Sequence, residues 1–235
     1  MKKFLSLILI LSTVSSFAQT ADDVVQKYNA AMGGLDAFKK VQTAKLTGTA
    51  TIQGTDLPMT VQIINNRAMR ADVDVNGQMV TNVYKDGKGW KINPFAGAET
   101  ATDLEGAELA DQKTQTIIAG SLMDYKEQGN KLELLGQEKV EGVNTYKLQI
   151  TAKEDGRVTT YYIDSDKYEM IKSVTKREIM GSSVDVETVY SNPKNIAGLK
   201  FYMTRTQSFD GNVIQVINLD KVELNVPVDE KIFNK

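Results

Sequence analysis

Turn signals recur along most of this 235-residue chain, and they separate short segments in which apolar and polar residues alternate. Asx-Gly dipeptides are strong signals for tight turns between antiparallel strands, because these residues tolerate the backbone conformations that such turns need. The segment 59–65, for example, alternates as a half-buried strand does. The turn dipeptides are Asn76-Gly77, Asp86-Gly87, Asp155-Gly156, Asp164-Ser165 and Asp210-Gly211. Strands joined in this way predict an antiparallel meander.

The predicted strands fall into two blocks with a different segment between them. The first block comprises 43–53, 59–65, 67–75, 79–84 and 89–93, and the second comprises 132–139, 144–152, 157–163, 169–176, 184–190, 200–209 and 212–226. They predict about ten or eleven antiparallel strands in one large curved sheet or open barrel.

A helix is predicted before the first strand. Thr20 and Asp23 have the spacing of a capping box, and apolar residues then recur at helical spacing over 24–32. Gly33-Gly34 is a typical C-terminal cap, and a short second helical turn is expected over 35–40.

The segment 94–129 between the two strand blocks lacks alternation and favours helix, with candidate helices at 103–109 and 111–123. A sheet of this size must bury one face against other elements. We therefore predict a mainly β fold with some α: a single large curved antiparallel sheet with an N-terminal helix and a central helical insertion. Two or three helices cover only part of such a face, so the remainder is expected to form a groove or cavity open to an apolar guest.

Residues 1–18 have the three parts of a secretory signal. Lys2 and Lys3 are the positive region, Phe4 to Val14 is the apolar region, and Ser16-Phe17-Ala18 ends in small residues. We expect cleavage after Ala18 and one domain over 19–235, located in the periplasm. The chain has no Cys, so we expect no lipid anchor of the bacterial lipoprotein type.

The chain also has no His. His is the usual general base and zinc ligand, and Cys supplies thiol nucleophiles and soft-metal ligands. We therefore expect a monomeric binding protein rather than an enzyme, with no cofactor and no metal site, although carboxylate or Tyr chemistry stays open. Loss of Lys2 and Lys3 on cleavage changes the net charge from −2 to −4. A mildly acidic chain without a basic stripe is not expected to bind nucleic acid.

The segment Val83 to Phe95 reads Val-Tyr-Lys-Asp-Gly-Lys-Gly-Trp-Lys-Ile-Asn-Pro-Phe. It resembles the outer-membrane lipoprotein carrier family, the LolA-like proteins, which have an Asp-Gly-Lys turn, a Trp and an Asn-Pro-Phe step in this order. The family has a functional Arg on an earlier strand, at the position of Arg67. Here Ala68 follows where the family usually has Pro, and Arg70 is a competing candidate. The C-terminal run 222–233 also resembles the family.

The resemblance implies an unclosed β-barrel with a helical lid and an apolar cavity for the acyl chains of lipoproteins. It further implies that the functional Arg contacts the lid and that aromatic residues line the cavity. With the apolar and Met residues around the insertion, this predicts a ligand-binding set of Arg67, Met69, Trp90, Phe95, Ile117, Leu122 and Met123.

Two questions stay open from the residues alone. Trp90 and the Met residues are also consistent with ordinary core filling. The resemblance implies either a periplasmic carrier, which sorts lipoproteins to the outer membrane with membrane-protein partners for loading and release, or a regulatory module of the same fold. The regulatory module would bind a lipid or a membrane-protein partner.

Overall fold

The structure of the protein is a computed structural model, which describes residues 19–179 and 182–235. The predicted signal segment 1–18 and its cleavage site therefore lie outside the described residues. Within the described part of the chain, no helix combines the length and the apolar character that are needed to cross a membrane.

The N-terminal helix is confirmed. Helix α1 (Ala21–Met32) begins at a complete capping box, in which the Thr20 hydroxyl accepts from the Asp23 amide at 3.1 Å and the Asp23 carboxylate accepts from the Thr20 amide at 3.0 Å. It ends at Gly33, whose φ of 109° is in the left-handed region that favours glycine. Helix α2 (Leu35–Lys39) follows directly.

Thirteen strands form one antiparallel sheet in the described chain. Their order is β6-β5-β4-β3-β2-β1-β13-β12-β11-β10-β9-β8-β7, so the first and last strands pair in the middle and the sheet stays unclosed between β6 and β7. The strands are β1 (Thr43–Ile52), β2 (Thr55–Ile64), β3 (Ala68–Val75), β4 (Gln78–Lys85), β5 (Lys88–Asn93), β6 (Ala98–Asp103), β7 (Lys131–Val140), β8 (Val143–Thr151), β9 (Val158–Asp164), β10 (Met170–Ile179), β11 (Ser182–Ile196), β12 (Leu199–Phe209) and β13 (Asn212–Leu224).

Two predictions about the central insertion are wrong. Residues 98–103 form strand β6, which pairs with β5, although this segment was expected to favour helix. The predicted helix over 111–123 is divided: its first residues continue the other predicted helix, 103–109, in α3 (Gly106–Thr114), and its last residues form α4 (Gly120–Met123). It is divided because Gly120 adopts a left-handed φ of 74° and the Thr116 hydroxyl bonds back to the Lys113 carbonyl at 2.7 Å.

The sheet has two rims, because consecutive hairpins of a meander turn at alternate ends. The connections β2–β3, β4–β5, β7–β8, β9–β10 and β11–β12 share one rim. Helix α1 lies along it, since the Gln19 amide contacts the Tyr168 hydroxyl in the β9–β10 connection and Gly33 lies against Gly198 in the β11–β12 connection. We call this end the closed rim, and we call the end with the β1–β2, β3–β4, β5–β6, β8–β9 and β12–β13 connections the open rim.

The main core lies between α1, α4 and the inner face of the sheet. Val24, Val25 and Tyr28 of α1 pack with Leu122 and Met123 of α4 against apolar residues of β8, β9 and β12. The opposite face of β3 to β5 is covered by the C-terminal segment, whose Phe233 is almost fully buried. The sheet is therefore apolar on both faces over these strands.

Candidate ligand-binding cavity

A cavity of about 770 Å³ lies between the central insertion and the inner face of β8 to β13. This volume is in the range of about 300 to 1,000 Å³ that is typical of small-molecule sites. The cavity extends to the open rim, because residues 152–155 and Arg157 of the β8–β9 connection line it. Helix α3 crosses above it and forms its roof, since Ala110, Asp111, Lys113 and Thr114 also line it.

The inner wall of the cavity carries apolar and aromatic side chains among hydroxyl, amide and guanidinium groups. It includes Ile150 and Tyr161, which are almost fully buried, and the less buried side chains of Ile117, Tyr190 and Ile217. Burial raises the pKa of the Tyr161 hydroxyl, so this group stays neutral. The apolar side chains of this wall offer contacts to the chain of an amphiphile.

The mouth of the cavity is polar, whereas the resemblance implies an apolar cavity. Asp111 of α3 pairs with Arg157, and also with Arg177 at 3.2 Å. Lys113 of α3 pairs with Glu154 at 2.5 Å. Burial lowers the pKa of Arg157, but the charges of Asp111 and Asp155 outweigh this effect and raise that pKa overall. These pairs join the roof to the far half of the sheet.

On its other side, α3 is held against β4 and β5. Glu108 accepts from the Lys91 ammonium at 2.7 and 2.8 Å. Gly89 allows the close approach, because a Cβ there would lie 2.8 Å from the Val83 carbonyl and 2.9 Å from the Leu109 side chain. The helix therefore spans the inner face, held by packing and the Lys91–Glu108 pair on one side and by the ion pairs of the cavity mouth on the other.

Two polar groups of the cavity lack partners within the described residues. Arg205 lies in register between Tyr190 and Ile217 on the cavity wall, and it forms no ion pair within 4.0 Å in the described chain. The buried Nε2 atom of Gln128, another lining residue, has no hydrogen-bond partner in that same part. A cation and an amide donor are thus available to the polar part of a ligand.

The predicted ligand-binding residues are not brought together around this cavity. Only Ile117 lines it. Met69, Leu122 and Met123 are nearly inaccessible and pack in the core against other side chains. Phe95 lies in the 3₁₀ turn Pro94–Ala96 at the open rim and is 60% exposed.

Trp90 lies on the opposite face of the sheet. It packs with Ala68, Val83 and Phe233, and its indole N–H donates to the Phe233 carbonyl at 3.2 Å. Ala68 directly precedes Met69, which packs in the inner cluster with Tyr84, so the two alternate to opposite faces. The expected place of Trp90 in the cavity lining is therefore corrected.

Arg67 and Arg70 also contact the C-terminal segment instead of the insertion. Arg67 makes two hydrogen bonds with Glu230 at 2.9 and 2.8 Å and one with Asp86 at 3.3 Å. Arg70 pairs with Asp72 at 2.7 Å and donates to the Ile232 carbonyl. The contact between α3 and an Arg is made by Arg157 and Arg177, which the sequence prediction missed.

No family model matches this chain, and no curated protein matches its sequence. Solved structures do match its fold. A LolA superfamily protein from Nitrosomonas europaea is similar with a TM-score of 0.62 at 14% identity, over 93% of this chain and 99% of that one. A putative outer membrane lipoprotein-sorting protein domain from Vibrio parahaemolyticus has the same TM-score and identity, over 92% and 96%. A DUF1329 family protein from Desulfovibrio piger has a TM-score of 0.60 at 12% identity, over 92% and 98%. These matches show that the chain has the same fold as these three proteins.

Proposed function

We propose that this protein is a periplasmic, non-catalytic carrier that binds the acyl chains of lipoproteins in the cavity under α3. The observation that carries the proposal is the cavity itself, with apolar and aromatic side chains on its inner wall and ion pairs at its mouth. An acyl chain would lie against Tyr161, Tyr190 and Ile217, and the polar part that follows the chain would remain at the mouth. Each buried methylene would contribute about 0.8 kcal/mol.

The arrangement of carboxylates supports binding rather than acid–base catalysis. Asp111 is paired with Arg157 and Arg177, and Glu154 is paired with Lys113. Asp155 also pairs with Arg157, at 2.6 Å. Each of these three lining carboxylates is therefore engaged in an ion pair with a Lys or Arg side chain.

The test is native mass spectrometry and lipid extraction of the protein purified from the bacterial envelope, followed by binding of a fluorescent acyl probe. We expect Ile217→Gln to weaken probe binding about tenfold, because it replaces one of the apolar side chains of the wall by an amide. Val216→Gln is the matched control, since the neighbouring residue on β13 faces away from the cavity. An empty cavity together with a stable membrane-protein complex in pull-downs would instead support the regulatory module.

A further inference from the structure

Exposed large apolar side chains are concentrated at one end of the protein. Seven occur in the described chain, and six of them lie at the open rim. Their exposed fractions are 37% for Ile52, 46% for Met79, 60% for Phe95, 38% for Phe209, 59% for Val213 and 40% for Ile214. Only Leu135 lies elsewhere, on edge strand β7.

These six side chains occupy four neighbouring connections of the rim. Phe95 lies between β5 and β6, Met79 follows the β3–β4 turn, and Ile52 precedes the β1–β2 turn. Phe209, Val213 and Ile214 flank the β12–β13 turn. In the sheet order these connections follow one another, so the apolar side chains form a row along the rim.

The closed rim shows the opposite composition. Its connections contain Asn65 to Arg67, Asp86-Gly87, Glu141-Gly142, Ser165 to Glu169 and Ala197-Gly198, and no exposed large apolar residue is found in them. Both rims consist of turns in the same sheet, so turn geometry alone does not explain the difference. The apolar row is a property of the end at which the cavity opens.

The charge of the four connections indicates the kind of surface that fits them. Residues 52–56, 75–79, 93–98 and 209–214 contain no Lys or Arg, and their charged residues are Asp56 and Asp210. Their other polar residues are Asn, Gln and Thr, which are neutral. Such tips can enter a lipid interface at a small desolvation cost, and they gain nothing from anionic headgroups.

We propose that the open rim docks on a lipid bilayer with net-neutral headgroups by inserting this row of apolar side chains. A bilayer fits better than a protein groove, because the side chains stand on separate turns along a curved edge and do not form one contiguous patch. The cavity extends to the same rim, so docking would bring its mouth to the membrane surface. The docking does not depend on what the cavity binds.

The test is cosedimentation of the purified protein with phosphatidylcholine vesicles. We expect the protein to bind, and we expect the double variant Val213→Ser, Ile214→Ser to lower the partition coefficient at least tenfold, because two apolar side chains leave the interface. Leu135→Ser is the matched control, since it removes an equally exposed side chain away from the rim, and it should bind as the parent protein does. Equal thermal unfolding temperatures would show that all three proteins are folded.

Three outcomes with vesicles of pure lipid would overturn the proposal. They are no binding of the parent protein to phosphatidylcholine vesicles, equal loss of vesicle binding in the double variant and in Leu135→Ser, and binding that requires added phosphatidylglycerol. Binding only to vesicles that contain envelope proteins would also overturn it, in favour of a protein partner. The assay uses protein without added ligand. Vesicle binding can therefore be absent while acyl binding is present, and acyl binding can be absent while vesicle binding is present.

Discussion

Substitution of Asp111 by Asn is expected to loosen the roof of the cavity. The change removes the charge that pairs with Arg157 and Arg177, while the shape of the side chain is kept. The Asp111 and Arg157 side chains are 24% and 16% exposed, so this pair is neither fully exposed nor fully buried. Exposed pairs contribute about 0 to 1 kcal/mol, and loss of one partner of a buried pair costs about 3 to 5 kcal/mol.

We expect an intermediate cost of about 2 kcal/mol for Asp111→Asn, which corresponds to about a thirtyfold increase in local opening. Hydrogen exchange of the amides in α3 measures this opening directly. Glu108→Gln is the matched control, because Glu108 is on the same helix but its carboxylate is 61% exposed and pairs with Lys91 on the packed side. This control should change the free energy of local opening, measured by hydrogen exchange in α3, by only a few tenths of a kcal/mol. Unchanged exchange in Asp111→Asn, or equal acceleration in both variants, would refute the role of the ion pairs.

Three further predictions concern the parts of the fold that position the cavity. Gly89→Ala should destabilise the protein by about 1 to 3 kcal/mol in urea unfolding, because the new Cβ meets the Val83 carbonyl and Leu109, and unchanged stability would mean that α3 is not packed there. Thr20→Ala should cost about 1 kcal/mol, because it removes the hydroxyl that accepts from a backbone N–H at the start of α1. Thr51→Ala is the control and should cost less, because it removes an exposed hydrogen bond between two side chains. The hydrogen bond from Arg67 lowers the pKa of Glu230 below its ordinary value of 4.5. The stabilisation of the folded state by this pair is therefore present above pH 4.5 and is lost as the pH falls through the lowered pKa. Fluorescence of Trp90, which bonds to Phe233 in the same segment, should therefore change in this acidic range, and Glu230→Gln should remove that transition.

Turn chemistry and alternation were enough to predict most of the sheet. The Asn76-Gly77, Asp86-Gly87 and Asp210-Gly211 dipeptides each join two observed strands. Strand β6 was missed because 98–103 consists of small and polar residues after a Pro-containing turn, with no Asx-Gly signal. The segment is a strand because its backbone pairs with β5, and this tertiary contact cannot be recognised from the local sequence.

The cavity could not be predicted in the same way. Along β9 to β11, polar residues occupy both faces, as Thr159 and Thr160 or Lys172 and Ser173 show, so alternation does not identify the inner face. The face of the sheet on which Trp90 lies could not be predicted either, because β3 to β5 are apolar on both faces. Only the tertiary structure shows that the C-terminal segment covers one of these faces and α3 the other.

The most direct measurement of the central claim is ligand protection of a thiol inside the cavity. The chain has no Cys, so Thr188→Cys on the cavity wall and Thr160→Cys on the outer face each introduce a unique reactive group. If acyl chains bind under α3, a triacylated lipopeptide should slow the reaction of Thr188→Cys with a small polar thiol reagent at least tenfold and leave Thr160→Cys unchanged. Equal rates with and without lipopeptide at both positions would contradict the account.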